Sequence, residues 1–309
     1  MSLGFSAEAL LSRARGGGAL RMGLVRVPEA EWLTPGVDLA ARVAVFAAEP
    51  DCVQVLPEAE AAVEEVAGML DGWLHAFPSR LREGLGEGLG TSSATSSSFP
   101  PPAPPARGRG AHAPDVLRTV AANVWEDLCI LTPNASGQYR LTAAALAFPT
   151  DWHLHEKLGH ALTPIHAPIH GYAEQLAAGV DHFFATLQPG PIFGRTNWFV
   201  VASDAWRYLP QDDPQTRFAH VTEGNAGTTL FVRCERQTLR RLPQSGAMLF
   251  TIGIHVAPLD RLSTDAVVRV ADSVAGISSG EHERRAAPFY ADALTRYAAR
   301  RNRPPELVA

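Results

Sequence analysis

The chain has 309 residues, 46% of them hydrophobic, enough to bury one large core or two modest ones, so a folded globular protein is expected. A formal net charge of −5 and a pI near 6.1, with no run of Lys/Arg interleaved with aromatics, argue against a nucleic-acid partner. The most apolar stretch, GAMLFTIGIHVAPL, has strand length and closes at Pro258, so no membrane span is expected.

Cys52, Cys129 and Cys234 are too few and too scattered for a disulfide framework, and none stands in a CxxC or zinc-type spacing. A reducing compartment follows, and a cytoplasmic location is expected. Arg13, Arg15, Arg21 and Arg26 against Glu8 alone faintly resemble a transit peptide, although the same composition suits an ordinary frayed terminus.

In chain order, Leu39 to Ala48 and Pro57 to Phe77 read as helices. In the second, Val63, Val66, Met69, Leu70, Trp73 and Leu74 recur at helical spacing, with glutamates toward the N-terminal end where the dipole favours them. Residues 1–83 are read as an amino-terminal helical part of a single domain. Residues 84–113 collapse into Gly, Ser and Pro with almost nothing to bury, and are read as a disordered insertion.

The core is expected over 114–309. VLRTVAANVWEDLCIL runs into the turn-forming TPNASGQ, and YRLTAAALAFPT follows with strand-like alternation until Pro149, which predicts a helix and then a hairpin-like pair of strands. NWFVVAS, TTLFVRCER and AMLFTIGIHVAP are further strand candidates, rich in β-branched and aromatic residues. The last segment puts Phe289, Leu294 and Tyr297 on a helix ending in arginines. The fold class is α+β with a mostly antiparallel sheet.

Five of the eleven histidines, His153, His155, His160, His166 and His170, fall between Asp151 and Tyr172, which points to a metal or a haem iron. His166 and His170 stand at i, i+4, but Pro164 and Pro168 make a regular zinc-binding helix doubtful. On a strand His153 and His155 would share a face, without a third ligand at a convincing spacing. RCERQTLRRLP gathers Arg233, Glu235, Arg236, Arg240 and Arg241 between two apolar strands, either an anion-binding cluster or a solvated turn with internal ion pairs. Arg195, Asn197 and Trp198 offer a cation, an amide and a ring suited to lining a pocket.

No GxGxxG follows a predicted strand, and no GxxxxGK[ST], GxSxG or HExxH occurs, so neither a nicotinamide nor an NTP site is encoded in recognisable form. No cysteine has the setting of a haem-thiolate ligand.

Taken together and in this order, EDLCIL, YRLTAAALAFPTDWHLHEKLGHALTPIHAPIHGY, GRTNW and ERQTLRRLP resemble the haem-dependent oxidative N-demethylase family. RMGLVRVPEAEW and the Glu-rich helix beyond it are similar to that family's amino-terminal part. The resemblance implies a PAS-like antiparallel sheet with flanking helices holding haem b. It also implies oxidation of a small secondary amine, such as dimethylamine, by O2 to a primary amine plus formaldehyde. Electrons would come from a separate flavin and iron–sulfur reductase, in keeping with the lack here of a cysteine quartet and a dinucleotide fingerprint.

On the same resemblance, His166 in the IHAP stretch is the expected iron ligand, with His160, His170 and His155 next in order. Lys157, Arg236, Arg240 and Arg241 become candidates for the haem propionates. Arg195, Asn197 and Glu235 become candidates for the side where dioxygen and the amine bind, Glu235 as counter-ion to an ammonium. The chain departs from the family where IHAP usually continues as Val-Pro-Gly-Tyr, since Ile169, His170, Gly171 and Tyr172 stand here. A haem-based oxygen or redox sensor is the rival reading from another class, and a histidine-bound non-haem metal hydrolase is a third.

Overall fold

Seven strands among the described residues form one antiparallel sheet, in the order β1 (Val25–Val27), β5 (Ile192–Val201), β6 (Phe231–Arg241), β7 (Met248–Pro258), β3 (Asp127–Pro133), β4 (Tyr139–Ala145) and β2 (Val53–Val55). The computed structural model describes residues 2–12, 21–35, 37–77 and 112–303. Most of the expected Gly/Ser/Pro insertion, 84–111, lies outside the described residues. The α+β class with flanking helices is as expected.

Period-2 patterning sorts the sheet's side chains onto two faces. The pairing register sets Arg195 and Asn197 of β5 on the same face as Gln237 and Glu235 of β6, Ile252 and Ile254 of β7, and Asp127 of β3. Thr196, Arg236, Gly253, Cys234 and His255 share the opposite face.

The second face is covered by the amino-terminal segment and by helices. In Glu60–Ala76, Val63, Val66, Leu70 and Trp73 form the buried stripe that their spacing predicts, and the Trp73 indole N–H donates to the Glu29 carbonyl at 2.9 Å. Cys234 Sγ lies 3.6 Å from the Ala7 carbonyl. The Glu126 carboxylate accepts both the amide and the hydroxyl of Thr34, each at 2.7 Å.

The amino-terminal part contributes more than the helices expected of it. Its two three-residue strands, β1 and β2, form the sheet's two edges. The expected hairpin of β3 and β4 is present. Its turn is held by Asn134, whose side-chain oxygen accepts the amides of Ser136 and Gln138, and Gly137 takes the positive φ of 79° that the turn requires.

The first face carries a buried charge pair at the start of β3. Arg42, fully buried, donates to Asp127 at 2.7 Å and to the carbonyls of Ala121, Trp125 and Glu126. Asp127 also accepts the amides of Ala147 and Phe148. That joint fixes the chain where it leaves β4, just before the histidine-rich segment.

Two sequence expectations are corrected. The solvated-turn alternative for RCERQTLRRLP is one of them: the strand expected from TTLFVRCER runs on through Arg241 as β6, whose residues are buried on both sides. Phe289 lies in a short 3-10 turn and is exposed, whereas the terminal helix Ala291–Arg301 buries Leu294 and Tyr297.

Candidate functional site

The histidine-rich segment is irregular, as its prolines dictate, and is pinned to the sheet at its start. Gly159 donates its amide to the Leu141 carbonyl at 2.7 Å, and Leu141 returns one to His160 at 3.0 Å, extending the edge of β4. The helical turn Leu162–Ile165 follows, and His166 caps its C-terminal end. Gly171, at φ 79°, then turns the chain into Tyr172–Gln175.

His166 is held in one orientation by two contacts. Its Nδ1 lies 2.8 Å from the Leu162 carbonyl, and its ring stacks on Tyr172 with centroids 4.4 Å apart and planes at 17°. A carbonyl only accepts, so Nδ1 carries the hydrogen and Nε2 keeps its lone pair. Burial, reinforced by the positive charges of Lys157 and Arg195, lowers the imidazole pKa to about 4. A neutral imidazole with a fixed tautomer is a metal-ligand type. Burial likewise pushes the Tyr172 phenol up to about 12, and its hydroxyl is buried without a hydrogen-bond partner.

The other four histidines differ. His155, His160 and His170 are exposed. His153 caps the helical turn Leu154–Lys157, so His153 and His155 do not share a strand. His166 and His170 are not on one helix, and among the described residues no group of three or more His, Cys, Asp or Glu side chains is placed to hold a metal ion. The backbone amide of His170 donates to Glu281 at 3.1 Å. Glu281 is in turn gripped by Arg284 and Arg285, and Arg285 donates to the Trp198 carbonyl at 2.7 Å. The segment is thus tied at its far end to β5.

Arg195, Asn197 and Glu235 come together on the sheet face that carries Asp127. Asn197 and Gln237 both donate their side-chain amides to Oε2 of Glu235, at 3.1 and 2.8 Å. Glu235 is buried, and Oε1 accepts no hydrogen bond among the described residues. Gln237, absent from the sequence-based candidates, faces Glu235 two residues along the strand, the period that puts both on one face.

Among the described residues, two cations near His166 have no hydrogen-bonded or ion-pair acceptor. Lys157 makes no ion pair among the described residues; its ammonium lies over the Trp152 ring, 4.2 Å from the centroid, and burial lowers its pKa against the pull of the Glu235 charge. Arg195 is similar: its Nε is buried without a partner, and burial lowers its pKa, opposed by Glu235 and Tyr172. A largely buried guanidinium without an acceptor is costly, which makes Arg195 a candidate for meeting an anionic group.

The remaining arginines of β6 are distributed otherwise. Arg233 pins the loops to the sheet, donating to Thr150 and to the carbonyls of Phe148, Pro149, Ala205 and Trp206. Arg236 lies on the opposite face, donating to the carbonyls of Gly4, Glu31 and Trp32. Arg240 shares that face, pairs with Glu29 at 2.8 Å and lies over the Trp32 ring. Arg241 is on the His166 side but donates to the Leu187 carbonyl at 3.2 Å, beyond the C-terminal end of helix Ala177–Thr186, where a cation suits the dipole.

All three cysteines are buried. Burial holds the Cys52 and Cys129 thiols up at about 11 and about 12, and raises Cys234 also, so none offers a thiolate at neutral pH. A cleft lined in part by Glu49, Trp152, His153 and Arg207 lies nearby and includes none of His166, Arg195 or Glu235.

Compared with known families, residues 37–294 match a family model described as haem-dependent oxidative N-demethylase, alpha subunit-like. The match spans most of the chain and includes every residue of the site.

Proposed function

The chain belongs to the haem-dependent oxidative N-demethylase, alpha subunit-like family, and from that premise we propose that it is a monooxygenase that holds haem b on a PAS-like sheet and demethylates a small secondary amine. The observation that carries this reading is a single neutral histidine with a fixed tautomer, His166, with the charge of Lys157 acting on it, a cation that makes no ion pair among the described residues. Haem needs an axial ligand and partners for its carboxylates, and the residues present fit those needs.

His166 is the proposed iron ligand through Nε2. Its Nδ1–H bond to the Leu162 carbonyl raises the basicity of the imidazole, which matters more where no thiolate is available. Lys157 is the proposed partner of a propionate. Arg236 and Arg240 are assigned to holding the amino-terminal segment, which their contacts support. Arg241 remains a candidate for the second propionate, since it lies on the His166 side of the sheet.

When bound, haem would supply oxygen activation, which no side chain here supplies. The protein orients the amine and moves its protons. Glu235, fixed through Oε2 by Asn197 and Gln237, offers Oε1 to the substrate ammonium and receives its proton. In the net reaction R–NH–CH3, O2, two electrons and two protons give R–NH2, formaldehyde and water. One oxygen atom enters the methyl C–H to give a carbinolamine, whose C–N bond breaks; the other leaves as water. The electrons come from a partner reductase, which accords with a family described as an alpha subunit.

The test is formaldehyde release from secondary amines by the haem-loaded chain. Release that requires O2, reductant and Glu235 supports the reading; a haem-loaded chain that releases none from any amine, yet changes its spectrum with O2, would favour a sensor.

A further inference from the structure

Arg195 and Glu235 are diagonal neighbours on adjacent strands, since Arg195 pairs with Gln237 and Asn197 with Glu235. Side chains so placed are within reach of each other across a sheet. They nevertheless form no ion pair: Glu235 is held by amides on one oxygen, and Arg195 has no acceptor among the described residues. Opposite charges held side by side and apart, both largely out of water, complement a ligand that carries both signs on neighbouring atoms.

We propose that the substrate is a zwitterion, a secondary amine that also bears a carboxylate, of the N-methyl amino acid class. Its ammonium meets Oε1 of Glu235, and its carboxylate meets the Arg195 guanidinium, whose planar fork suits a bidentate carboxylate contact. This rests on the demethylase reading above and narrows its substrate.

The local charge balance argues the same way. A simple dialkylammonium ion entering here meets one carboxylate, Glu235, and the charges of both Arg195 and Lys157. The zwitterion brings an anion to Arg195, and so relieves a repulsion that the bare cation suffers. The reaction keeps its balance: the N-methyl amino acid, O2, two electrons from the reductase and two protons give the amino acid, formaldehyde and water.

The test is calorimetric titration of the haem-loaded protein with N-methylglycine and, separately, dimethylamine, for the wild type, Arg195→Gln and Glu235→Gln, with the Soret spectrum of each recorded first. The proposal expects N-methylglycine to bind the wild type about tenfold to a hundredfold more tightly than dimethylamine, the value of charged hydrogen bonds. It expects Arg195→Gln to keep its haem and lose that preference, and Glu235→Gln to weaken both ligands. Equal or tighter binding of dimethylamine by the wild type overturns it. So does an Arg195→Gln protein that folds but purifies without haem, because Arg195 then serves the cofactor's carboxylates. A wild-type chain that takes up no haem instead contradicts the demethylase reading beneath it, and is distinguished by the spectrum alone.

Discussion

The imidazole of His166 lies flat against the phenol ring of Tyr172, centroids 4.4 Å apart and planes 17° from parallel, while its Nδ1 is fixed by the Leu162 carbonyl. One ring contact and one hydrogen bond therefore set both the plane and the tautomer of the histidine that faces the cationic part of the site.

That stack separates two roles of Tyr172. Its hydroxyl is buried without a partner, so Tyr172→Phe keeps the stack and is expected to leave the ligand-free chain as stable, or more stable by about 1 kcal/mol. Tyr172→Ala removes a buried ring and is expected to cost about 3 kcal/mol or more. Urea unfolding of the two variants checks the contrast.

The Arg42–Asp127 pair is fully buried and carries the turn out of β4. Asp127→Ala leaves the guanidinium uncompensated and two loop amides without an acceptor, and is expected to destabilise the chain by about 3–5 kcal/mol. A shift of the denaturation midpoint within that range, with an unchanged slope, is the expected measurement.

The two faces of the sheet give different outcomes for the cations set against them. Arg236→Ala strips three carbonyls of their donor and is expected to lower stability while the folded fraction still binds haem. Lys157→Ala, beside the other face, removes a largely buried cation that has no ion-pair partner among the described residues, and is expected to leave the melting temperature the same or raised, with weaker haem retention. Thermal melts beside haem titration of both variants distinguish the two.

His255 gives a pH prediction. Burial, with the charge of Arg236, lowers its pKa from 6.5 to about 4, and its Nε2 is buried without a partner. A folded-state pKa below the unfolded one means that its favourable contribution is present above pH 6.5 and is lost as pH falls toward 4, by up to about 3 kcal/mol. His255→Leu is expected to flatten the stability profile in that window and to leave stability at pH 7 equal or slightly higher. A wild type and variant with parallel profiles from pH 7 to pH 4 would contradict it.

Much of this fold was legible in the sequence because local signals agreed. The stripe of Val63, Val66, Leu70 and Trp73, the Asn134–Gly137 turn and the apolar runs of β5 and β7 follow from periodicity and turn chemistry. The first half of β6 is legible in TTLFVRCER, but its continuation to Arg241 is not, because a strand covered on both faces can bury arginines that look, in sequence, like a solvated turn. Its period of 2 parts Glu235, Gln237 and Arg241 from Arg236 and Arg240, a division that only the register with β5 and β7 reveals. β1 and β2 are too short to have a pattern. Within the site, Pro164 and Pro168 agree with a backbone that places His166 and His170 on no common helix. The Tyr172 stack and the Gln237 bond to Glu235 depend on tertiary placement, and no spacing announces them.

The most direct test of the central claim is the visible spectrum of the chain expressed with a haem precursor, as isolated and after dithionite, beside that of His166→Ala. The account predicts a Soret band and a histidine-type reduced spectrum in the wild type, lost or replaced in a variant that still folds. A folded wild type without haem, or a folded His166→Ala protein with an unchanged spectrum, would contradict it.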